Sequence, residues 1–464
     1  MLKSFTLKNF KSFKEATLKL NPTVTFLIGA NGSGKSNALE AFRFISLLGG
    51  KGKNLDEIEQ GINSNQLAIR GSANNLFRHK CEGFTLGCEL CEEATLFDYQ
   101  IRIVKSEHSG SHFLLNKEEW LKVGKESLFS FQMEDKSISS DNRPGNKEPT
   151  IDKKGCMVYD SYLISSTAFL TNIWTVLEHF RPQNQELPID EERNLHIASL
   201  RVTGSEALLK AFDQIVFVSA ELSRVRDYVP LKNNELLLAE DASNLSSVIK
   251  NLCDEGAKNA ILDFIKSVPE QDILDIEYSV AWDTNRILLK LKESFNKANN
   301  SIPAFLLSDG TLRALAIAAA LYGAPKGSLV VIEEVDNGIH PSRIKHLVDK
   351  MYEIATERKI QILVTTHDPA MMDAIPPQEK GNILCCYRNK EDGSSSILRL
   401  QDSPQYMDFL TNGRLGSFVA TELFDKLVRQ TEEERAKEHK AWFEQYQKEQ
   451  DDYYEKLRQA LKED

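Results

Sequence analysis

Apolar residues along the chain follow two periods. Residues 1 to about 28 alternate as strands, and "TVTFLI", Thr23 to Ile28, is the most apolar and β-branched stretch of them. A glycine-rich turn follows. Beyond it Leu39, Phe42, Ile45 and Leu48 in "SNALEAFRFISLL" recur at helical spacing, which predicts strand, loop, helix. From about 82 to 115 short alternating runs predict a strand meander. The stretch from Lys125 to Gly155 is polar and rich in turn formers, and is expected to be a mobile insertion. From about 160 to 268 the pattern is mainly helical without sustained heptads, interrupted by the strand-like "QIVFVSA", Gln214 to Ala220. A second α/β block begins near 275 and continues to about 430. Its strands "SLVVIE" and "QILVTT" alternate with helices such as "TLRALAIAAALYG" and "SRIKHLVDKMYEIATER". The two halves are expected to share one sheet. After Gln430 a charged helix places Phe443, Tyr446, Tyr453, Leu457 and Leu461 near one face. It reads either as a solvated terminal helix docked by a few aromatics or as an arm for a partner or a second copy.

Composition changes this picture little. A chain of 464 residues suggests two or three structural units. With 57 Lys+Arg against 68 Asp+Glu the formal charge is -11, which gives no support to indiscriminate nucleic-acid binding and leaves a local basic face open. No apolar run approaches the roughly 18 residues needed to cross a bilayer, and the N-terminus lacks the apolar block of a secretory signal. A cytoplasmic protein without a membrane partner is expected, and seven scattered cysteines fit reduced thiols there. Cys88 and Cys91 form a CxxC with His79 and Cys81 just before it, so a zinc site can be imagined. Residues three apart on one strand face opposite sides, however, so ordinary strand cysteines are the expectation. Cys385 and Cys386 are read as buried strand residues too.

The chemistry is concentrated in four stretches. "GANGSGKS", Gly29 to Ser36, is a full G-x-x-x-x-G-K-[ST] phosphate loop placed after a strand and before a helix, the context that makes the motif specific. Its glycines let backbone N–H groups converge on phosphate oxygens, Lys35 reaches the β/γ-phosphates and Ser36 ligates Mg²⁺. The nucleotide-binding set therefore comprises Gly29, Asn31, Gly32, Ser33, Gly34, Lys35, Ser36 and Asn37. The apolar run Leu329 to Ile332 leads straight into Glu333 and Glu334, two carboxylates that repel each other and are costly to desolvate without a positive partner. In phosphate-loop NTPases an acidic strand lies next to the loop strand. Its terminal acid, here Glu333, holds the Mg²⁺ shell, and the following glutamate, here Glu334, orients or deprotonates the attacking water. The bland alternative is that both acids cap the next turn. In "LLSDGTLRALAIAAAL" the Ser308 hydroxyl and Gly310 N–H form a second anion-binding helix start. "ILVTTHDPAMMD" ends a third strand in Thr365, Thr366 and His367.

In this order the motifs resemble those of the ABC-type ATPases of the SMC, RecF and OLD group. The opening "FTLKNFKSFKEATLKL" and "LSDGTLR" in place of LSGGQ add to the likeness, which covers roughly residues 1 to 105 and 205 to 425. The resemblance implies an α/β fold: a P-loop ABC-type ATPase head with mixed sheet, antiparallel β-meander and a helical insertion. The expected organisation is an ATPase lobe with phosphate loop and meander at 1–115 and a polar loop with mainly helical insertion at 116–268. A second ATPase lobe follows at 269–430, then a charged helix at 431–464. The resemblance further implies that Ser308 and Gly310 contact the γ-phosphate held by another protomer and that Asp336 lies at the dimer seam. His367 would sense the γ-phosphate, so that two ATP join two copies head to tail. "EEVDNG" lacks the proline frequent in the group, which puts the geometry of the turn after Glu334 in doubt. Gln66 is a weak candidate for the lid-loop glutamine. Lys11 is a candidate for approaching the nucleotide, with a solvated strand lysine as the alternative. Arg224 and Arg226 read either as functional cations or as surface pairs.

The insertion, which carries no heptad run, argues against a long coiled-coil tether. Only 97 residues follow His367, and no D-x-D occurs, so the chain is expected to cut nothing itself. It reads as an ATP-driven sensor or scaffold, a homodimer or higher homo-oligomer that controls a separate effector, a nuclease or toxin. The trigger would be DNA or a phage protein, as the likeness to the stand-alone ATPases of the anti-phage systems PARIS and Septu implies. The competing reading is a RecF-like DNA-repair clamp, supported by Lys3, Lys8, Lys11, Lys14 and Lys19 against Glu15 in the first twenty residues. A transporter ATPase is the weaker third reading, because "LSDG" and the insertion are unlike importer subunits.

Overall fold

The computed structural model describes residues 1–50, 53–105, 114–132, 150–151, 157–158, 191–267, 273–281, 285–295 and 298–403. The stretch expected to form a charged helix, 431–464, and most of the expected polar insertion lie outside the described residues.

Two six-stranded sheets enclose one helix. The first is an antiparallel meander built from β1 (Leu2–Lys8), β2 (Glu15–Lys19), β4 (Gly83–Glu92), β5 (Thr95–Lys105), β6 (Leu114–Val123) and β7 (Glu126–Gln132), in the order β2-β1-β4-β5-β6-β7. It continues past the expected end near 115, and β7 occupies the start of the stretch read as a mobile insertion. Phe129 and Leu128 are buried there, so apolar contacts outweigh the polar composition around them. Cys88 and Cys91 both lie on β4, Cys88 buried.

The second sheet joins the two halves of the sequence, as expected. It runs β8 (Ile215–Val218), β13 (Leu329–Ile332), β14 (Gln361–Thr366), β3 (Val24–Ile28), β15 (Leu384–Arg388), β16 (Ser395–Arg399), parallel except for the last pair. β3, β13 and β14 are buried throughout, which is why they read as continuous apolar runs. The acidic strand β13 is not the neighbour of the loop strand β3, contrary to the expectation, because β14 lies between them. Uniformly apolar parallel strands carry no register or neighbour code. Their order is set by how the crossover helices pack.

Helix α1 (Lys35–Ile45) lies between the two sheets. Its Phe42 stacks on Phe5 of β1 with centroids 4.0 Å apart, a contact worth about 0.5–1.5 kcal/mol beyond area burial. The Gln361 amide ties the sheets together, donating to the Leu2 and Asn21 carbonyls and accepting from the Leu2 N–H. On the opposite face α6 (Asp309–Gly323) and α7 (Pro341–Arg358) build the second core with a smaller four-stranded sheet of β9 (Val229–Pro230), β10 (Ile273–Val280), β11 (Arg286–Phe295) and β12 (Ala298–Pro303). The alanines of α6 are buried on nearly every side, which lets neighbouring backbones close in. Among the described residues no helix is long and apolar enough to cross a membrane.

Candidate nucleotide-binding and catalytic site

The phosphate loop joins β3 to α1 and rests on β15 and β16. At Gly29 and at Gly34 (φ +121°) a Cβ would stand under 3.0 Å from the Cys386 carbonyl and the Ser395 hydroxyl, so only glycine fits against these strands. Arg388 Nε donates to the Gly32 carbonyl at 3.1 Å, and Ser395 Oγ donates to the Ser33 carbonyl at 2.6 Å. These bonds take up two loop carbonyls and fix the curvature. Lys35 Nζ folds back onto the carbonyls of Gly29 (2.6 Å) and Ala30 (3.2 Å). Burial holds its ammonium below the ordinary lysine value, while Cys386, Glu334 and Asp336 act in the opposite direction. Both acids therefore lie within electrostatic reach of Lys35.

The residues present fit a bound triphosphate. Ser33 Oγ is buried without a hydrogen-bond partner, and a Cβ at Gly32 would meet nothing within 4 Å, so the crest of the loop is open. Among the described residues no group of three or more His, Cys, Asp or Glu could hold a metal alone. A divalent ion here would share its shell with phosphate oxygens, which is how Mg²⁺ is commonly held. Asn37 is fixed from two sides, by donating to Ser12 Oγ at 2.8 Å and accepting from Arg70 at 3.0 Å.

The acidic turn is held by its neighbouring strand. Glu334 adopts a left-handed backbone (φ 48°), a conformation that costs of order 1–3 kcal/mol outside glycine unless the surroundings impose it. Here the Glu334 N–H donates to Thr365 Oγ1 at 3.0 Å and the Val335 N–H to the Thr365 carbonyl at 3.3 Å. The Glu334 carboxylate is exposed. Asp336, expected at a dimer seam, is 7 % exposed in the single chain, and its Oδ1 has no hydrogen-bond partner. His367 follows β14 and is exposed.

The positive partner demanded by the paired acids is partly in the protein itself. Arg43, in α1, is 8 % exposed and donates through Nη2 to Glu333 Oε1 at 2.8 Å and through Nε to Glu240 Oε1 at 2.9 Å. Its guanidinium also lies 4.8 Å from the Phe217 ring centroid. Burial opposes its charge, but the two carboxylates outweigh that and hold Arg43 above the usual arginine value. Burial conversely raises Glu240 from the ordinary glutamate value, with Arg43 acting against it and Glu333 adding to it. Arg43 thus supplies Glu333 with positive charge from within the protein. The available signal was an arginine inside the apolar run "EAFRFI".

The Ser-Asp-Gly turn starts α6. Ser308 caps the helix, its Oγ accepting from the Thr311 N–H at 3.1 Å, and Ser308 and Asp309 are exposed. Gly310 packs on the turn after the acids, where a Cβ would stand under 3.0 Å from the Gly338 carbonyl oxygen. Arg226 clamps the approach to this turn, donating to the Phe305 carbonyl (3.0 Å), the Leu307 carbonyl (2.9 Å) and Asp309 Oδ1 (2.5 Å). Arg224 instead pairs with Glu221 and Asp241.

Lys11 does not stand in solvent, its side chain being 8% exposed. It is bonded to the buried Glu40 and donates to the Arg70 carbonyl at 2.9 Å, while Arg70 Nε donates to Glu40 at 2.6 Å. Gln66 is exposed after α2 (Leu55–Asn63).

Comparison with known proteins gives consistent likenesses. Residues 1–372 match the family model described as AAA ATPase domain. The chain is 21% identical over 383 residues to an ATP/GTP phosphatase of Helicobacter pylori, covering 81% of this chain and 87% of that protein. It is 23% identical over 376 residues to the DNA replication and repair protein RecF of Streptococcus gordonii, covering 78% and 90%. A 45-residue stretch is 51% identical to the chromosome partition protein Smc of Mycolicibacterium paratuberculosis, 10% of this chain and 4% of that protein. Among solved structures, an Smc head bound to the C-terminal winged-helix domain of ScpA aligns with TM-score 0.45 at 14% identity, covering 86% of this chain and 96% of that one.

Proposed function

The chain belongs to the AAA ATPase domain family and is an ATPase related to RecF and Smc, and from that premise we propose that it works as an ATP-joined pair of copies. The observation that carries this reading is a division of the site. The phosphate loop, Lys35 and the exposed Glu334 form one half, and the helix start at Ser308–Gly310, exposed at Ser308 and Asp309 and stiffened by Arg226, offers a second anion-binding end at the surface. A triphosphate held by the loop of one copy meets the helix start of the other. Ser36 and Glu333 would hold Mg²⁺, which when bound supplies positive charge at the phosphate oxygens. Glu334 accepts the proton of the attacking water, Lys35 orients the β/γ-phosphates, and His367 contacts the γ-phosphate.

Beyond hydrolysis, the chain acts as a sensor or scaffold for a separate effector, a nuclease or toxin, in bacterial anti-phage defence. The likeness in motif order to the stand-alone ATPases of PARIS and Septu supports this. A RecF-like DNA-binding role is the second reading, favoured by the RecF similarity over 376 residues. Of the N-terminal lysines cited for it, Lys8 pairs with Glu15, Lys11 with Glu40 and Lys19 with Asp402, which weakens their claim on DNA phosphates. Native pull-down of the Glu334→Gln chain with ATP decides between them. Recovery of a nuclease or toxin supports the effector role, and ATP-stimulated, salt-sensitive duplex binding without such a partner overturns it.

A further inference from the structure

The Arg43 triad is not explained by packing alone. A helix core position between two sheets carries a guanidinium, and each of its two carboxylate partners comes from a different element: Glu333 follows β13 and Glu240 lies in the loop after β9 (Val229–Pro230). That loop is itself tied to the end of β8, the Ser219 N–H donating to the Glu240 carbonyl at 2.8 Å. Leu329 and Val331 face the α1 side of the sheet, and Glu333 continues that alternation toward Arg43. Arg43 donates to Glu333 Oε1, and the Glu333 side chain keeps 24% of its exposure, so the carboxylate is not fully enclosed by this pairing.

We propose that Arg43 is a positioning residue: by anchoring one oxygen of Glu333 against Glu240 it fixes the other for the divalent-cation shell, and so sets how tightly the metal is retained with bound nucleotide. The inference rests on the assignment of Glu333 to that shell. A planar guanidinium suits this task because it bridges two carboxylates in fixed geometry, which a lysine ammonium does not. Partners that orient a metal-shell residue commonly matter by about 10–100-fold in metal affinity or activity.

The test uses the full chain loaded with ADP, with Mn²⁺ binding followed by electron paramagnetic resonance. Nucleotide affinity in EDTA and the melting temperature are measured alongside. Arg43→Lys is expected to weaken Mn²⁺ about tenfold while nucleotide affinity in EDTA stays within about twofold. Glu240→Gln, which removes a negative charge and keeps the acceptor, is expected to weaken Mn²⁺ by about threefold. A folded Arg43→Lys chain with parental Mn²⁺ affinity overturns the proposal, as does an equal loss of metal-free and metal-dependent binding, which marks a packing role. Should Arg43→Lys not fold, Glu240→Gln decides by the same criteria. Glu333→Gln separates the two levels. If it weakens Mn²⁺ while Arg43→Lys does not, only the role of Arg43 falls; if neither does, the assignment of Glu333 falls with it.

Discussion

Gly310→Ala sets two effects of known size against each other. Gly310 occupies the second position of α6, with an ordinary helical backbone, so alanine there favours the helix by up to about 0.8–1.0 kcal/mol. The added Cβ, however, stands under 3.0 Å from the Gly338 carbonyl oxygen, a backbone atom that cannot rotate away as a side chain would. Overpacking of this kind costs about 1–3 kcal/mol, so the net effect is a loss of about 0–2 kcal/mol and a small fall in melting temperature. The functional effect is expected to be larger. The clash displaces the turn holding Asp336 to Gly338, which begins just past Val335, the residue after Glu334, and a misplacement of about 1 Å at a reacting centre costs of order a hundredfold in rate. Paired measurements decide: thermal unfolding, binding of a fluorescent ATP analogue and steady-state hydrolysis. Binding within about threefold of the parent with hydrolysis down about a hundredfold is expected. Gly338→Ala is the control, since its Cβ meets Gly310 only at 3.6 Å but carries a φ of +78°, so its cost is conformational. A Gly310→Ala chain with parental or higher stability and full hydrolysis refutes the packing of these two turns.

The other substitutions follow from single contacts. Lys35→Ala is expected to abolish nucleotide binding in a filter or fluorescence assay while the melting temperature without nucleotide stays near that of the parent. Glu334→Gln should bind ATP and accumulate as a pair of copies by light scattering, with hydrolysis down about 10²–10⁴-fold; parental hydrolysis removes Glu334 as the base. Thr365→Val deletes the acceptor of the Glu334 N–H at 3.0 Å and is expected to destabilise by about 1–3 kcal/mol in denaturant titration, with a loss of turnover. Lys11→Ala leaves the buried Glu40 with Arg70 alone and should lower stability by about 1–3 kcal/mol while nucleotide affinity holds. A large affinity loss at unchanged stability would instead place Lys11 at the nucleotide.

What the chain determined locally is what local physics encodes. Gly29 to Ser36 are legible as a phosphate-loop motif because such a cradle needs glycine freedom, a lysine and a hydroxyl within eight residues, and the buried run before Glu333 announced a strand ending in acids. Sharing of one sheet by the two halves also followed from apolar runs too continuous for a one-sided sheet. Only tertiary structure decided that β14 separates the loop strand from the acidic strand, and hence that Thr365 holds the backbone of Glu334. Only it brought Arg43 to Glu333 and Lys11 to Glu40, pairs separated by 290 and 29 positions. Charge compensation acts through space, and a lysine or arginine in a string of letters does not say which carboxylate it will meet.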